Sequence, residues 1–182
     1  DIVIPSSGHA TPFPSDISVG GLGSAGYSLA SVTLTDYSHT FSGDVLITLQ
    51  APDGTSVVLM NQVGGGTDLV HNTYTFTDTA SSLIGSAPFP ADGTYLPSGA
   101  LSAFDHVDPN GTWHLFVDDR AGGDQGEIAG GWSMSFHGGV LDFETRPQYT
   151  LTVVATDAAG QVDNANVTIN LSNVNQAPVY ND

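Results

Sequence analysis

The chain of 182 residues contains no cysteine, no lysine and no long apolar run, and each absence excludes a class of protein. Without cysteine there can be no disulfide, no thiol catalysis and no zinc–thiolate site. No apolar stretch approaches the roughly 20 residues that a membrane-spanning helix needs, so we expect no membrane insertion. The chain begins directly at Asp1 without a signal peptide, as a mature chain or an excerpt of a longer protein would.

Basic residues are also scarce, since two arginines oppose 19 acidic residues and the net charge is −17. Such a chain repels phosphate backbones and anionic membrane surfaces, which excludes nucleic acid as a partner. Crowded carboxylates also repel one another in the folded state. Divalent cations relieve that repulsion, and Ca²⁺ prefers carboxylate and carbonyl oxygens. The charge therefore predicts Ca²⁺ as the cofactor, with simple solubility as the alternative.

Short β-rich runs separated by glycine, aspartate, asparagine and proline dominate the chain, and helical periodicity is nearly absent. The predicted fold class is therefore all-β, a jelly-roll β-sandwich with a hairpin over residues 43–60. The pair Gly138-Gly139 predicts a boundary between a domain at 1–138 and a segment of two or three strands at 139–182. The strands are predicted at residues 28–35, 45–49, 56–60, 71–76, 112–117, 131–136, 149–155 and 165–171.

Residues 11–137 carry an ordered series of motifs that resembles the P domain of proprotein convertases, which also occurs in bacterial secreted proteins. The motifs include Ser38-His39-Thr40, Pro52-Asp53-Gly54-Thr55, Asn110-Gly111-Thr112-Trp113, Gly123-Asp124-Gln125-Gly126 and Gly131-Trp132-Ser133. The resemblance implies a jelly roll related to galactose-binding-like folds. It also implies an extracellular or cell-surface protein, with this domain downstream of a protease or within a large secreted chain.

Residues 139–182 resemble the C-terminal third of a cadherin repeat. Leu141-Asp142-Phe143-Glu144 is similar to the Leu-Asp-x-Glu calcium motif, and residues 173–178 are similar to the linker between repeats. The resemblance implies that this partial cadherin-like segment binds calcium. Two strands alone are marginally stable in water, so we expect the segment to need a partner surface on its own domain or on another chain.

The candidate calcium ligands fall into two groups of oxygen-bearing residues. The first group surrounds or faces a glycine-rich turn near residue 122, where glycines let carbonyl oxygens approach a cation. Its members are Asp44, Asp78, Asp118, Asp119, Asp124 and Glu127. The second group lies in the C-terminal segment and consists of Asp142, Glu144, Asp157 and Asn175. The alternatives are that aspartates cap turns in the first group and that charges protect a strand edge in the second.

The sequence lacks the common signatures of catalysis, and we expect this chain not to be an enzyme. Neither a Gly-x-Ser-x-Gly elbow nor a His-Glu-x-x-His motif occurs. Asp118 and Asp119 are adjacent, so on a strand they would point to opposite faces rather than form a glycosidase pair. His39 is interpreted as a structural hydrogen-bonding residue, and Trp113 and Trp132 as packing residues of the sandwich.

The predicted function is a non-catalytic, calcium-stabilised structural or adhesive module of a secreted or cell-surface protein. Protein partners are expected, including further copies of the chain, because the C-terminal strands could add to a neighbouring sheet and build a filament. One alternative is the accessory P domain of a secreted subtilisin-like protease. The other is a carbohydrate-binding module with a glycan as its partner, which rests on fold relationship.

Overall fold

The computed structural model describes residues 1–22, 26–85, 91–138, 148–156 and 162–170. The chain separates into two compact units, Asp1–Gly138 and Gly139–Asp182. Strands dominate, so the all-β prediction is confirmed. The described residues contain two helices, the 3-10 turns η1 (Ser42–Asp44) and η2 (Leu101–Phe104). Neither is long enough to cross a membrane.

Two sheets make up the first unit. Sheet I has six described strands, which are β1 (Ile2–Ile4), β4 (Ser28–His39), β7 (Leu69–Phe76), β8 (Gly93–Tyr95), β10 (Gly126–Ile128) and β11 (Trp132–His137). Sheet II has five described strands, which are β2 (Gly8–His9), β3 (Ser15–Val19), β5 (Val45–Gln50), β6 (Ser56–Asn61) and β9 (Gly111–Asp119).

The two longest strands of this unit, β4 and β9, organise the sheets. β4 pairs with β7 along one edge and with both β10 and β11 along the other. β9 pairs with β5 on one side and with β2 and β3 on the other. These pairs are antiparallel, whereas β8 runs parallel to β7. β5 and β6 pair directly, which confirms the predicted hairpin.

One hydrophobic core lies between the two sheets. Every second residue of β5 and of β9 points into it, as expected for strands with one buried face. The buried apolar residues of these two strands are Val45, Ile47, Leu49, Trp113, Leu115 and Val117. The same cluster includes residues of β4, β7 and β10, which joins the sheets into a β-sandwich and confirms the predicted fold class. Trp132 packs against this core, so both tryptophans are packing residues as predicted.

A β-bulge in β4 changes which of its residues face the core. Val32 and Leu34 are buried by simple alternation, but the next buried residues are Tyr37 and His39. The pairing register shifts between these two pairs, where Asp36 adopts a left-handed φ of 58°. Without the bulge, alternation would place Tyr37 and His39 on the outer face of sheet I.

The second unit is described as a two-stranded antiparallel sheet, formed by β12 (Gln148–Thr156) and β13 (Val162–Asn170). Both strands were predicted from the sequence. The register pairs Leu151 with Val167. This pairing extends over the full length of both strands, from Gln148 with Asn170 to Thr156 with Val162.

Gly126 of β10 lies too close to β4 to accept a side chain. An added Cβ would overlap the Ser38 carbonyl oxygen and lie 2.6 Å from His39 Cδ2. We expect Gly126→Ala to lower the free energy of unfolding by about 3 kcal/mol, because β10 must move away from β4. Gly20→Ala is the control, since its Cβ would meet nothing within 4 Å. That change should cost less than about 0.5 kcal/mol. Urea unfolding followed by tryptophan fluorescence measures both, and equal stabilities would contradict the close approach.

Candidate functional site

The C-terminal end of β9 carries two adjacent aspartates that point to opposite sides of sheet II. The side chain of Asp119 is completely buried in the core, whereas that of Asp118 lies on the outer face and is 17% exposed. This separation follows the alternation of a strand and confirms that the two carboxylates cannot act as a pair. They therefore belong to two different polar clusters.

Asp119 faces His39 inside the core. Its Oδ1 accepts a hydrogen bond from the Ala121 N–H at 3.0 Å, and its Oδ2 lies 3.4 Å from His39 Nε2. His39 Nδ1 lies next to the backbone of Phe41, 3.1 Å from its nitrogen and 2.9 Å from its oxygen. When Nδ1 accepts the Phe41 N–H, the hydrogen of the neutral ring is on Nε2, on the side of Asp119. These contacts agree with the structural role predicted for His39.

Tyr37 is the third polar residue of this buried cluster. Its hydroxyl, Nε2 of His39 and Oδ2 of Asp119 are all buried and make no hydrogen bond to the residues that the structure describes. Burial, together with the nearby Tyr74 and Asp119, raises the pKa of Tyr37 far above its usual value, so the hydroxyl keeps its proton. The cluster therefore places the Asp119 carboxylate in a low-dielectric core. Removing one partner of a buried pair there strongly destabilises the fold.

Asp118 is held by two partners on the outer face of sheet II. His9 Nδ1 lies 2.6 Å from Oδ1, and Arg120 Nη2 lies 3.1 Å from Oδ2. Close histidine–aspartate contacts recur on the surface. Among the described residues, His71 contacts Asp36 at 2.6 Å and His114 contacts Asp16 at 2.7 Å. In a chain without lysine, histidines thus serve as partners for exposed carboxylates.

The structure brings Asp44 next to the end of β9 but places Asp78 beside η2. Asp78 accepts the backbone N–H groups of Leu101 and Ser102, both at 2.8 Å, and so caps the start of η2. The carbonyl oxygen of Asp44 accepts the N–H of Arg120. These hydrogen bonds give Asp78 a structural role, and its predicted role in binding calcium stays a prediction.

A calcium site requires several carboxylate oxygens to surround one position. Asp124 is half-buried in the turn before β10, and Glu127 is exposed on β10 itself. The described residues contain no group of three or more histidine, aspartate or glutamate side chains placed to hold a metal ion. The second predicted group lies outside the described side chains, and its members are Asp142, Glu144, Asp157 and Asn175. Calcium binding therefore stays a prediction from composition.

Two aspartates that the sequence did not single out also stabilise loops. Asp92 accepts hydrogen bonds from the Asn72 side chain at 2.8 Å and from the Thr73 N–H at 3.0 Å. Asp108 accepts from both the backbone and the side chain of Asn110. These hydrogen bonds favour the charged carboxylates and hold the pKa of each below its usual value.

The acid sensitivity of these two loops follows from the direction of the pKa shifts. Each carboxylate contributes its stabilisation fully above the usual aspartate pKa of 3.8 and loses it as the pH falls through the lower, folded-state pKa. We expect ¹³C NMR titration of the carboxyl carbons to give midpoints below 3.8 for both residues. Midpoints at or above that value would show that the hydrogen bonds do not form in solution.

The two adjacent aspartates of β9 should differ strongly in their contribution to stability. We expect Asp119→Ala to lower the free energy of unfolding by about 3 kcal/mol or more, because it removes one partner from a buried pair. Asp118→Ala removes only surface contacts with His9 and Arg120 and should cost about 1 kcal/mol or less. Urea unfolding at neutral pH measures both variants. Similar losses for the two would refute the assignment of Asp119 to a tightly buried cluster.

Comparison with known proteins identifies the family. The chain is 31% identical over 136 residues to leupeptin-inactivating enzyme 1 of Streptomyces exfoliatus, and this match covers 75% of the chain. The chain spans only 24% of the length of that relative. Residues 29–136 match the family model of the proprotein convertase P-domain. The family match ends at residue 136, and the cadherin-like resemblance of residues 139–182 receives no support from these comparisons. Since the family match runs from β4 to β11 and covers more than half of the residues, the chain belongs to the proprotein convertase P-domain family.

Proposed function

We propose that this chain is the non-catalytic accessory domain of a larger secreted protease, in which it stabilises or targets the catalytic part of the same polypeptide. The observation that carries the proposal is the match of residues 29–136 to the P-domain, which typically accompanies subtilisin-like proteases. The Streptomyces relative supports it, because that protein is an enzyme and this chain spans 24% of its length. Such a protein would act outside the cell.

The architecture of the first unit supports an accessory role. Asp1–Gly138 is a compact unit with its own hydrophobic core, as expected of a domain that folds beside another one. A linker holds such a domain near its neighbour at an effective concentration of about 1 mM. A contact with a Kd of about 10 µM would then stabilise the catalytic domain by about 2.7 kcal/mol. A modest interface is therefore sufficient for the proposed function.

The structural or adhesive function with filament formation has less support and stays a prediction. The antiparallel pairing of β12 with β13 agrees with a β segment that adds to another sheet. Residues 139–182 lie beyond the family match, however, so the P-domain family does not account for the part of the chain on which self-assembly would depend. The accessory role is the better supported function.

The accessory role is tested in the parent protein. The coding sequence upstream and downstream of this domain is determined first, and we expect it to encode a peptidase domain. The parent protein is then expressed with Gly126→Ala or with the control Gly20→Ala. We expect Gly126→Ala to reduce the secreted yield and to shorten the half-life of peptidase activity on heating, because unfolding of the accessory domain removes its contact with the catalytic one. The kcat/KM of the surviving enzyme should not change.

Two results would refute the accessory role. The first is a parent gene that encodes no catalytic domain. The second is an equal half-life of peptidase activity for Gly126→Ala and Gly20→Ala, provided that urea unfolding shows that only Gly126→Ala destabilises the domain. The isolated chain of 182 residues should not hydrolyse peptide substrates. Peptidase activity that copurifies with it and is lost in a histidine variant would also contradict the proposal.

A further inference from the structure

The outer face of sheet II presents aromatic side chains where a soluble sandwich usually presents polar ones. β9 alternates, so Phe116 points away from the core while its neighbours Leu115 and Val117 are buried. Phe116 meets Phe13 edge to face, with ring centroids 5.3 Å apart and an interplanar angle of 74°. Phe13 itself is 37% exposed. Two phenylalanine rings therefore form an apolar corner that is open to solvent.

Charged side chains adjoin this corner and are held in place by mutual contacts. His9 stacks on Phe13, with ring centroids 3.8 Å apart and an interplanar angle of 19°. The same histidine contacts Asp118, which also pairs with Arg120. We call these five residues the aromatic patch. Because stacking and hydrogen bonding fix its members, a ligand would meet an arrangement that is already formed.

A shallow cavity lies within the aromatic patch. Its volume is about 220 Å³, and Leu46 and Thr48 of β5 line it together with Phe13, Phe116, Asp118 and Arg120. Sites for drug-sized ligands usually measure about 300–1,000 Å³, so this cavity fits a smaller group, such as a single ring. The lining combines an aromatic wall, one hydroxyl and an ion pair. Such a lining suits a small polar ligand that has one apolar face.

The charges of the cavity favour a neutral ligand. An anion would meet Asp118 and the net charge of −17, and a cation would meet Arg120. A neutral sugar ring is repelled neither by Asp118 nor by Arg120. Its C–H face can pack on the phenylalanine rings, its hydroxyls can donate to Asp118, and its oxygens can accept from Thr48 and from the N–H groups of Arg120.

We propose that the aromatic patch binds one ring of a neutral saccharide, as an exposed recognition site on the accessory domain. The proposal rests on the geometry of the aromatic patch and not on a contact with a catalytic domain, so either proposal can fail without the other. Phe41 provides a matched control, since it is 38% exposed but lies beside Gly66 and does not line the cavity.

The test is an NMR titration of the complete ¹⁵N-labelled chain with four neutral hexasaccharides of glucose (α- and β-linked), N-acetylglucosamine and xylose. We expect at least one of them to shift the amide signals of Phe116, Asp118 and Arg120 in a saturable way. Phe13→Ala should weaken that binding by about tenfold, equivalent to about 1.4 kcal/mol, whereas Phe41→Ala should change it by less than about twofold. Arg120→Gln should also weaken it, with urea unfolding showing that each variant remains folded.

Several outcomes would overturn the proposal. The first is that no neutral oligosaccharide shifts these amides at millimolar concentration. The second is that shifts occur elsewhere on the domain, or that Phe13→Ala and Phe41→Ala weaken binding equally. The third concerns ligand class: if oligogalacturonate or a lysine-rich peptide saturates the patch and the neutral sugars do not, the patch recognises charge rather than a neutral ring.

Discussion

β9 is hydrogen-bonded along both edges, and the alternation of its side chains is the constraint on which the rest of the first unit depends. Trp113 and Val117 enter the core, whereas Phe116 and Asp118 remain outside. Because β9 pairs with strands on both sides, a slip of one residue would exchange its two faces and expose the core. The buried cluster around Asp119 and the aromatic patch are therefore two consequences of one strand register.

Several described aspartates of the first unit have partners within that unit. Asp78, Asp92 and Asp108 accept N–H donors in loops. For Asp92 and Asp108 these hydrogen bonds favour the ionised carboxylate and lower its pKa. Histidines contact three further aspartates on the surface. A chain with a net charge of −17 thus provides many of its carboxylates with stabilising partners of its own. These contacts are distributed over the sandwich rather than gathered at one point.

The accessory role and the aromatic patch fit one arrangement of the domain. A sandwich with its own core can be attached to a catalytic domain without changing the chemistry of the active site. In the proposed arrangement, one surface of the domain would contact the catalytic domain while the outer face of sheet II stays open to solvent. A saccharide-binding face would then hold the parent enzyme near glycan-rich material, which is a form of targeting.

The sequence by itself determined the all-β class, the family and the exclusion of cysteine chemistry, because composition, motifs and the period of two are local properties. Strong alternation located strands such as β5 and β9 within one or two residues. Strands of two or three residues, such as β2 and β10, were missed because they are too short to show a period. Only the tertiary structure decided that the bulge at Asp36 turns His39 inward to meet Asp119, and that His9 contacts Asp118 across 109 residues of sequence. Such contacts depend on strand register and on the local break in alternation, and neither can be read from the spacing of residues along the chain.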